Sequence, residues 1–569
     1  MKPDLGTPEA VHITVDGEPV NASAGQTVAA VMLTNGRDSW RTTRNAGRPR
    51  GVFCGIGACY DCLVVVNGIP DIRACQRTIH PGDAITTQQG AVLPDPDGVH
   101  LTSTSKPSTS PRVVDVAVVG GGPAGIAAAL AAADGGAEVL LIDSGRAVGG
   151  QFNRQVAEEL RVRRPERLQH GWKAFAGKRD RLAAHERITH LAETSVWAFE
   201  QGNRLWVQRG PADGVGREVF AVEAKAVVLA TGAYDRVLPF PGWDLPGVYS
   251  AGAAQALAKG QRIGVGKRVL VAGTGPFLLP VAESLVGVGA EVVGLLEANT
   301  LKTVRKGWTT DPLVASGKVG EGLGYGALLA RHRIPLKHGW TVIAAHGEQH
   351  VEALTVARLD DTWRPIKGSE RRVDVDAVCL GFGFTAQLEL AVSARCELTT
   401  GPDGGPAVVV DANQQTTTPG VFAAGELTGI GGADLAAAEG RVAGAAAAGL
   451  AVTSKDQETV KKGRRFAVAL AKAYPMRDGW RSWSGPETVV CRCEEVTRGD
   501  IEGAVVERGV ADGRALKLTS RAGLGLCQGR VCARTVAELA EQNDVPEPSM
   551  KRPIAVPVRL RDLAAQEEL

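Results

Sequence analysis

Eight of the ten cysteines in this 569-residue chain fall into two tight groups of four, and the first group constrains the fold most. Cys54, Cys59 and Cys62 lie in GVFCGIGACYDC, and twelve residues separate Cys62 from Cys75. This is the C-x4-C-x2-C…C spacing that ligates a [2Fe–2S] cluster. A tight loop has to bring three thiolates round one cluster with its amides turned toward the sulfurs, and Gly55 and Gly57 permit that backbone. A four-cysteine zinc site pairs two C-x2-4-C knuckles, which this group lacks.

The second group, Cys491 and Cys493 in CRC with Cys527 and Cys532 in GLCQGRVC, closes on one centre if a small helical module folds its ends together. The glycine-rich approach RAGLGLCQGRVC favours a second [2Fe–2S] cluster, because close backbone amides tune sulfur-bound iron. Zinc remains the alternative on spacing alone. The two other cysteines, Cys379 and Cys396, are expected to be packing residues. The histidines show no metal spacing, and His185 and His190 are expected on a helix surface.

Between the cysteine groups the pattern is strand, glycine turn, helix, strand, which implies an α/β fold with parallel sheets covered by helices. DVAVVGGGPAGIAAALAAADGGAEVLLID places Gly120, Gly122 and Gly125 after a strand and Asp143 about 20 residues on, the unit that lays a pyrophosphate on a helix N-terminus and holds ribose hydroxyls on the acid. Pro123, Ala124 and Ser144 belong to the same cofactor-binding turns. A second unit, KRVLVAGTGPFLLPVAESLVGVGAEVVGLLE, has Gly273, Gly275 and Glu297, but Leu278 replaces its third glycine. It is read either as an NAD site with Glu297 on the ribose or as retained architecture; Lys302 and Arg305 keep NADP open.

The expected organisation is a β-grasp-like ferredoxin domain over 1–92 with a hairpin turn at Asp16-Gly17 and a helix from near Gln26, and a Pro/Ser/Thr-rich linker over 93–111. A discontinuous FAD domain over 112–245 and 371–453 follows, with an NAD-type domain inserted at 246–370. The expected FAD domain includes a strand from Ala226 to Ala230 and another from Val373 to Leu380. A C-terminal cluster module over 454–569 completes it. Lys plus Arg number 64 against 62 Asp plus Glu, so no charge excess argues for nucleic acid. The opening residues lack a secretory pattern, and Ala443 to Val452 falls short of the ~20 residues that span a bilayer. The expectation is a cytoplasmic protein with no integral membrane segment.

Three segments resemble the two-dinucleotide flavoprotein superfamily: Gly149-Gly150-Gln151, the ATG turn at Ala230, Thr231 and Gly232, and TTPGVFAAGE with Gly425 and Glu426, where the resemblance puts an acid against the flavin ribityl chain. The usual residue there is Asp. No cysteine occurs between Gln76 and Val378, which removes the disulfide reductases with their redox-active pair beside the flavin.

Taken in order, ATGAYDRVLPFPGWDLPGV from Ala230, GTGPFLLPVAESL from Gly273, CRCEEVT and GLCQGRVC resemble the large subunits of opine oxidase and hydrogen cyanide synthase, with dye-linked proline or hydroxyproline dehydrogenases and heteromeric sarcosine oxidase as wider relatives. The ferredoxin-like domain is fused here, whereas some relatives carry it separately. The resemblance implies that a partner of the glycine/D-amino-acid oxidase type oxidises a C–N bond with its own flavin. This chain would then pass electrons to a quinone, an electron-transfer protein or oxygen, with no catalytic acid or base of its own. It implies FAD or another adenine nucleotide in the first site, two [2Fe–2S] clusters, and in some relatives an FMN between subunits. The rival readings are a self-sufficient NAD(P)H-dependent reductase and a redox sensor.

Overall fold

The computed structural model describes residues 8–93, 111–167, 171–312, 319–510, 512–540 and 554–564. Most of the expected linker lies outside them.

The N-terminal module is a mixed five-stranded sheet in the order Glu18–Val20, Ile13–Val15, Ala84–Thr86, Leu63–Val66, Ile69–Arg73. Ile13–Val15 pairs antiparallel with Glu18–Val20 across the Asp16-Gly17 turn and parallel with Ala84–Thr86. Alternating apolar residues of these strands face the helix Val28–Thr34, so Ile13, Val15, Val64 and Ile85 share a core with Val28, Val31 and Met32. The helix begins two residues beyond Gln26 because Thr27 takes the N-cap, its hydroxyl accepting from the Ala30 amide at 3.2 Å.

The first dinucleotide unit is the strand Arg112–Val119, the helix Pro123–Asp134 and the strand Val139–Ile142. Their sheet runs Ile188–Leu191, Val139–Ile142, Arg112–Val119, Glu218–Leu229, Arg204–Arg209, Thr194–Glu200, with Val421–Ala423 returning to pair with Glu218–Leu229. The apolar run at Ala226 is thus the end of a twelve-residue strand. A late helix, Ala433–Ala447, lies against Pro123–Asp134 with almost no side chain between the backbones. A Cβ on Gly440 would sit 2.1 Å from the Ala124 carbonyl, and one on Gly444 2.1 Å from that of Ala128.

The second unit is a parallel sheet in the order Val248–Ser250, Ala377–Phe382, Arg268–Thr274, Glu291–Glu297, Leu336–His338. This corrects the expected boundary at 371. The strand expected over Val373 to Leu380 is broken at Asp376, whose carboxylate accepts from the amides of Lys267 and Arg268, both at 2.9 Å. Before the break Arg371–Asp374 edges an antiparallel sheet; after it Ala377–Phe382 is buried throughout, between two strands of the second unit.

The expected start of the C-terminal module at 454 also shifts. The helix Ser454–Ala473 packs Val460 and Ala467 on Leu435, Ala438 and Val442 of the flavoprotein body. The cysteine module has its own small core from Val490 onward, with Ile501, Ala504, Leu516 and Val536 around Cys491 and Cys532. Among the described residues no helix is long and apolar enough to cross a membrane.

Candidate redox site: a nucleotide groove and two cysteine quartets

The first groove opens where the strands Arg112–Val119 and Glu218–Leu229 end side by side, as in other parallel sheets whose ligands lie at the carboxyl edge. Gly120, Gly122, Pro123, Ala124, Asp143, Ser144, Gly150, Gln151, Ala230, Thr231, Gly232, Gly425 and Glu426 all line one continuous cavity of 3240 Å³. Gly125 lies beneath it, where a Cβ would strike the Gly120 carbonyl at 1.7 Å. The Asp143 carboxylate accepts from the amides of Gly121 and Gly145, and burial pushes its carboxyl up. Thr231 donates to the Gln387 carbonyl at 2.8 Å and Gln151 to that of Ala233 at 3.2 Å, which steadies the ATG turn.

Glu426 takes a different pose from the one expected of an acid reaching along a flavin chain. Its two oxygens accept from the amides of Gly431 and Gly432 at 3.1 and 3.0 Å, closing the loop before helix Ala433–Ala447. Burial raises its carboxyl to about 7. The longer side chain folds back where an Asp would not reach.

In the second unit Glu297 is 3% exposed and outside the cavity lining, as is Gly273; Gly275 does line it. Glu297 accepts from the Thr274 hydroxyl at 2.7 Å, the Asn299 amide at 2.8 Å and the Gly275 amide at 2.9 Å, while burial lifts it to about 7. Asn299 donates onward to the Pro475 carbonyl at 3.2 Å. Pro475 follows the long helix Ser454–Ala473, and the Trp308 ring packs on Phe466 and Tyr474 of that segment.

The four cysteines of the N-terminal loop are buried and pair two and two. The Cys54 and Cys59 thiols are in hydrogen-bond reach of each other, as are those of Cys62 and Cys75. Burial opposes ionisation of Cys54, but the Cys59 thiol and the amides of Ile56, Cys59 and Ala58 converge on its sulfur and bring it down to about 7. Gly57, at φ +78, brings the loop so close to Gln76 that a Cβ would sit 2.9 Å from Cγ. Among the described residues no three His, Cys, Asp or Glu side chains converge on a single metal ion. Two thiolates per iron around bridging sulfides is the arrangement a [2Fe–2S] cluster needs, and the N-terminal quartet fits it.

In the C-terminal loop the Cys493 sulfur lies 3.7 Å from those of both Cys491 and Cys527, and Cys532 reaches Cys491. The hydrogen bonds from Cys493 and Cys532 hold Cys491 well below the ordinary thiol range, helped by the amides of Gly523 and Glu494. The quartets are neighbours: Tyr60, between Cys59 and Cys62, packs with Leu63 on Cys527, with Cys493 alongside. Arg530, between Cys527 and Cys532, pairs with Glu389 at 2.7 Å and donates to the Tyr234 hydroxyl at 3.0 Å, seating the C-terminal loop beside the ATG segment.

Cys379 and Cys396 are buried, and burial pushes both thiols up; the Cys396 thiol donates to Thr416 at 3.4 Å. His190 lies in the strand Ile188–Leu191 and not on a helix, its ring near Asp143 and its pKa lowered by burial. His185 follows the helix Trp172–Ala183. The charged pairs between modules escape a reading of the sequence, because a pair hundreds of residues apart leaves no local pattern.

A 2Fe-2S iron-sulfur cluster binding domain model matches residues 8–90, a pyridine nucleotide-disulphide oxidoreductase model matches 114–309 and 325–448, and a BFD-like [2Fe-2S] binding domain model matches 489–542. An opine oxidase subunit from Agrobacterium tumefaciens is 33% identical over 79% of this chain and 91% of its own length. Hydrogen cyanide synthase subunit HcnB of Pseudomonas aeruginosa is 31% identical over 73% of this chain and 90% of its own. L-proline dehydrogenase from P. horikoshii shares the fold, with a TM-score of 0.69 over 98% of both chains at 22% identity. The chain therefore belongs to the family that unites these opine oxidase and hydrogen cyanide synthase subunits, as a flavin-dependent oxidoreductase with a [2Fe–2S] domain fused at its N-terminus.

Proposed function

We propose that this chain is the electron-transferring subunit of a heteromeric enzyme that oxidises the C–N bond of a secondary amine or amino acid of opine, proline, hydroxyproline or glycine type. In this reading a partner of the glycine/D-amino-acid oxidase type takes the substrate, and electrons leave through this chain to a quinone, an electron-transfer protein or oxygen. FAD, or another adenine nucleotide, occupies the groove at Gly120–Asp143, and an FMN at the subunit interface is part of the same reading. Flavin exchanges electrons in pairs and each cluster one at a time, which is the chemistry these groups supply when bound.

The observation that carries the proposal is the opening of the nucleotide groove and the N-terminal cysteine loop onto one cavity, which Gly120, Asp143, Gly57 and Cys75 all line. The chain's own residues there hold and insulate. In this reading Asp143 meets the ribose hydroxyls, the N-terminus of helix Pro123–Asp134 the phosphate, and the loop amides the cluster sulfur.

The self-sufficient NAD(P)H reductase remains the second reading, favoured by Gly275 facing the cavity. Against it, Glu297 is buried outside the cavity that Asp143 lines. The test is anaerobic stopped-flow reduction of the chain alone and of its complex with a co-expressed oxidase-type flavoprotein. Reduction by an opine, proline or sarcosine in the complex only supports the proposal. Reduction of the chain alone by the same amines overturns it.

A further inference from the structure

The two cysteine loops meet at one buried ion pair. Asp61 lies between Cys59 and Cys62, and Arg492 lies between Cys491 and Cys493. The Arg492 Nε donates to Asp61 Oδ2 at 2.7 Å, with the side chains 5% and 2% exposed. Arg492 also donates to the Trp243 carbonyl at 2.7 Å and lies over the Phe53 ring at 4.1 Å. One guanidinium thus joins the ferredoxin-like module, the flavoprotein body and the C-terminal module.

Burying two charges is costly unless the geometry is good and the remaining donors are used, so such a pair is poor at adding stability and suited to fixing one arrangement. The arrangement fixed here is the spacing of the two quartets, with the Tyr60 side chain filling the gap at Cys527. Tyr60 itself is held at φ 60, a left-handed conformation unusual for a bulky residue. Neither residue of the pair is placed to ligate iron, and both adjoin residues that are.

We infer that the Asp61–Arg492 pair is a positioning device that holds the two [2Fe–2S] clusters at one fixed separation, so that they exchange electrons directly across Tyr60. In each exchange one electron leaves one cluster, which is oxidised, and enters the other, which is reduced, with no proton moved. The inference rests on both quartets holding clusters, and not on which substrate feeds them.

The test is electron paramagnetic resonance of the full chain reduced with dithionite, so that it stands apart from the amine-oxidation reading. Iron is quantified in every sample. The unaltered chain is expected to show mutual splitting or broadening of the two cluster signals. Arg492→Met and Asp61→Asn are each expected to keep about four irons per chain, lose that interaction, and slow equilibration between clusters at least tenfold. The double variant is expected to resemble either single one, since the two residues act as a unit. Full iron with unchanged splitting and unchanged equilibration in both single variants overturns the inference. So does loss of iron confined to the C-terminal cluster in Arg492→Met and to the N-terminal cluster in Asp61→Asn, which would make each residue a support of its own loop only.

Discussion

The side-chain amide of Asn299 donates to the main-chain carbonyl of Pro475 at 3.2 Å, which ties the lip of the second dinucleotide groove to the turn after the long helix Ser454–Ala473. The same amide donates to the Thr274 hydroxyl at 2.8 Å, and that hydroxyl donates to Glu297. Asn299→Ala removes a buried donor from this chain and leaves two acceptors short. We expect a loss of about 1–3 kcal/mol in stability, read as a lower melting temperature, with iron content unchanged.

Glu297 carries a pH signature. Its folded carboxyl stands near 7 against an ordinary 4.5 because burial disfavours the charge. The native state therefore keeps the proton more tightly than the unfolded chain. The stabilisation from this linkage is fully present below about 4.5 and is lost as pH rises toward 7. Melting temperatures of the chain and of Glu297→Gln, compared between pH 5.5 and pH 8, should show the unaltered chain losing ground to the variant as pH rises. A difference independent of pH would contradict this.

Asp143→Ala should release the nucleotide of the first groove while sparing iron. The carboxylate holds the Gly121 and Gly145 amides at the groove and, on the proposed reading, meets the ribose hydroxyls, so the expected loss is at least tenfold in flavin affinity, about 1.4 kcal/mol or more. Flavin retained after gel filtration, set against iron by elemental analysis, reads the two effects apart.

Gly444→Val tests the close approach of the two helices flanking the groove. A Cβ there meets the Ala128 carbonyl at 2.1 Å, and backbone has to move to admit it. Overpacking of this kind costs about 1–3 kcal/mol, and the shift reaches the helix N-terminus at Pro123. Lower melting temperature together with weaker flavin retention is the expected result.

Cys62→Ser and Cys532→Ser should each remove about two of about four irons, from different clusters. Electron paramagnetic resonance of the dithionite-reduced variants should show the remaining cluster in each. Four irons in either variant would take that cysteine out of the ligand set.

Local patterns are legible in the chain and distant ones are not. The C-x4-C-x2-C spacing and the glycine turn after an apolar strand are short-range necessities, so the cysteine loop and the first groove can be read from neighbours. The strand Ala377–Phe382 falls in the second sheet and not the first, because a buried parallel strand reads as the same apolar run in either one. The helix Ser454–Ala473 reads as charged because only one face is buried, and nothing local says which domain that face meets. Glu426 carries the motif's charge, but its extra methylene lets it fold onto Gly431 and Gly432, a choice visible only with the loop in place. Asp61 and Arg492 stand in plain view inside CYDC and CRC, yet their meeting depends on how three modules dock.

On the proposed function, electrons enter this chain from an amine-oxidising partner and not from a nicotinamide. The decisive experiment is an anaerobic absorption spectrum of the purified chain alone, with iron and flavin quantified, before and after NADH and then NADPH. The expected result is about four irons per chain, bound flavin, and no bleaching of the flavin or cluster bands by either nucleotide. Bleaching by NADH or NADPH would contradict it and make the chain a reductase in its own right.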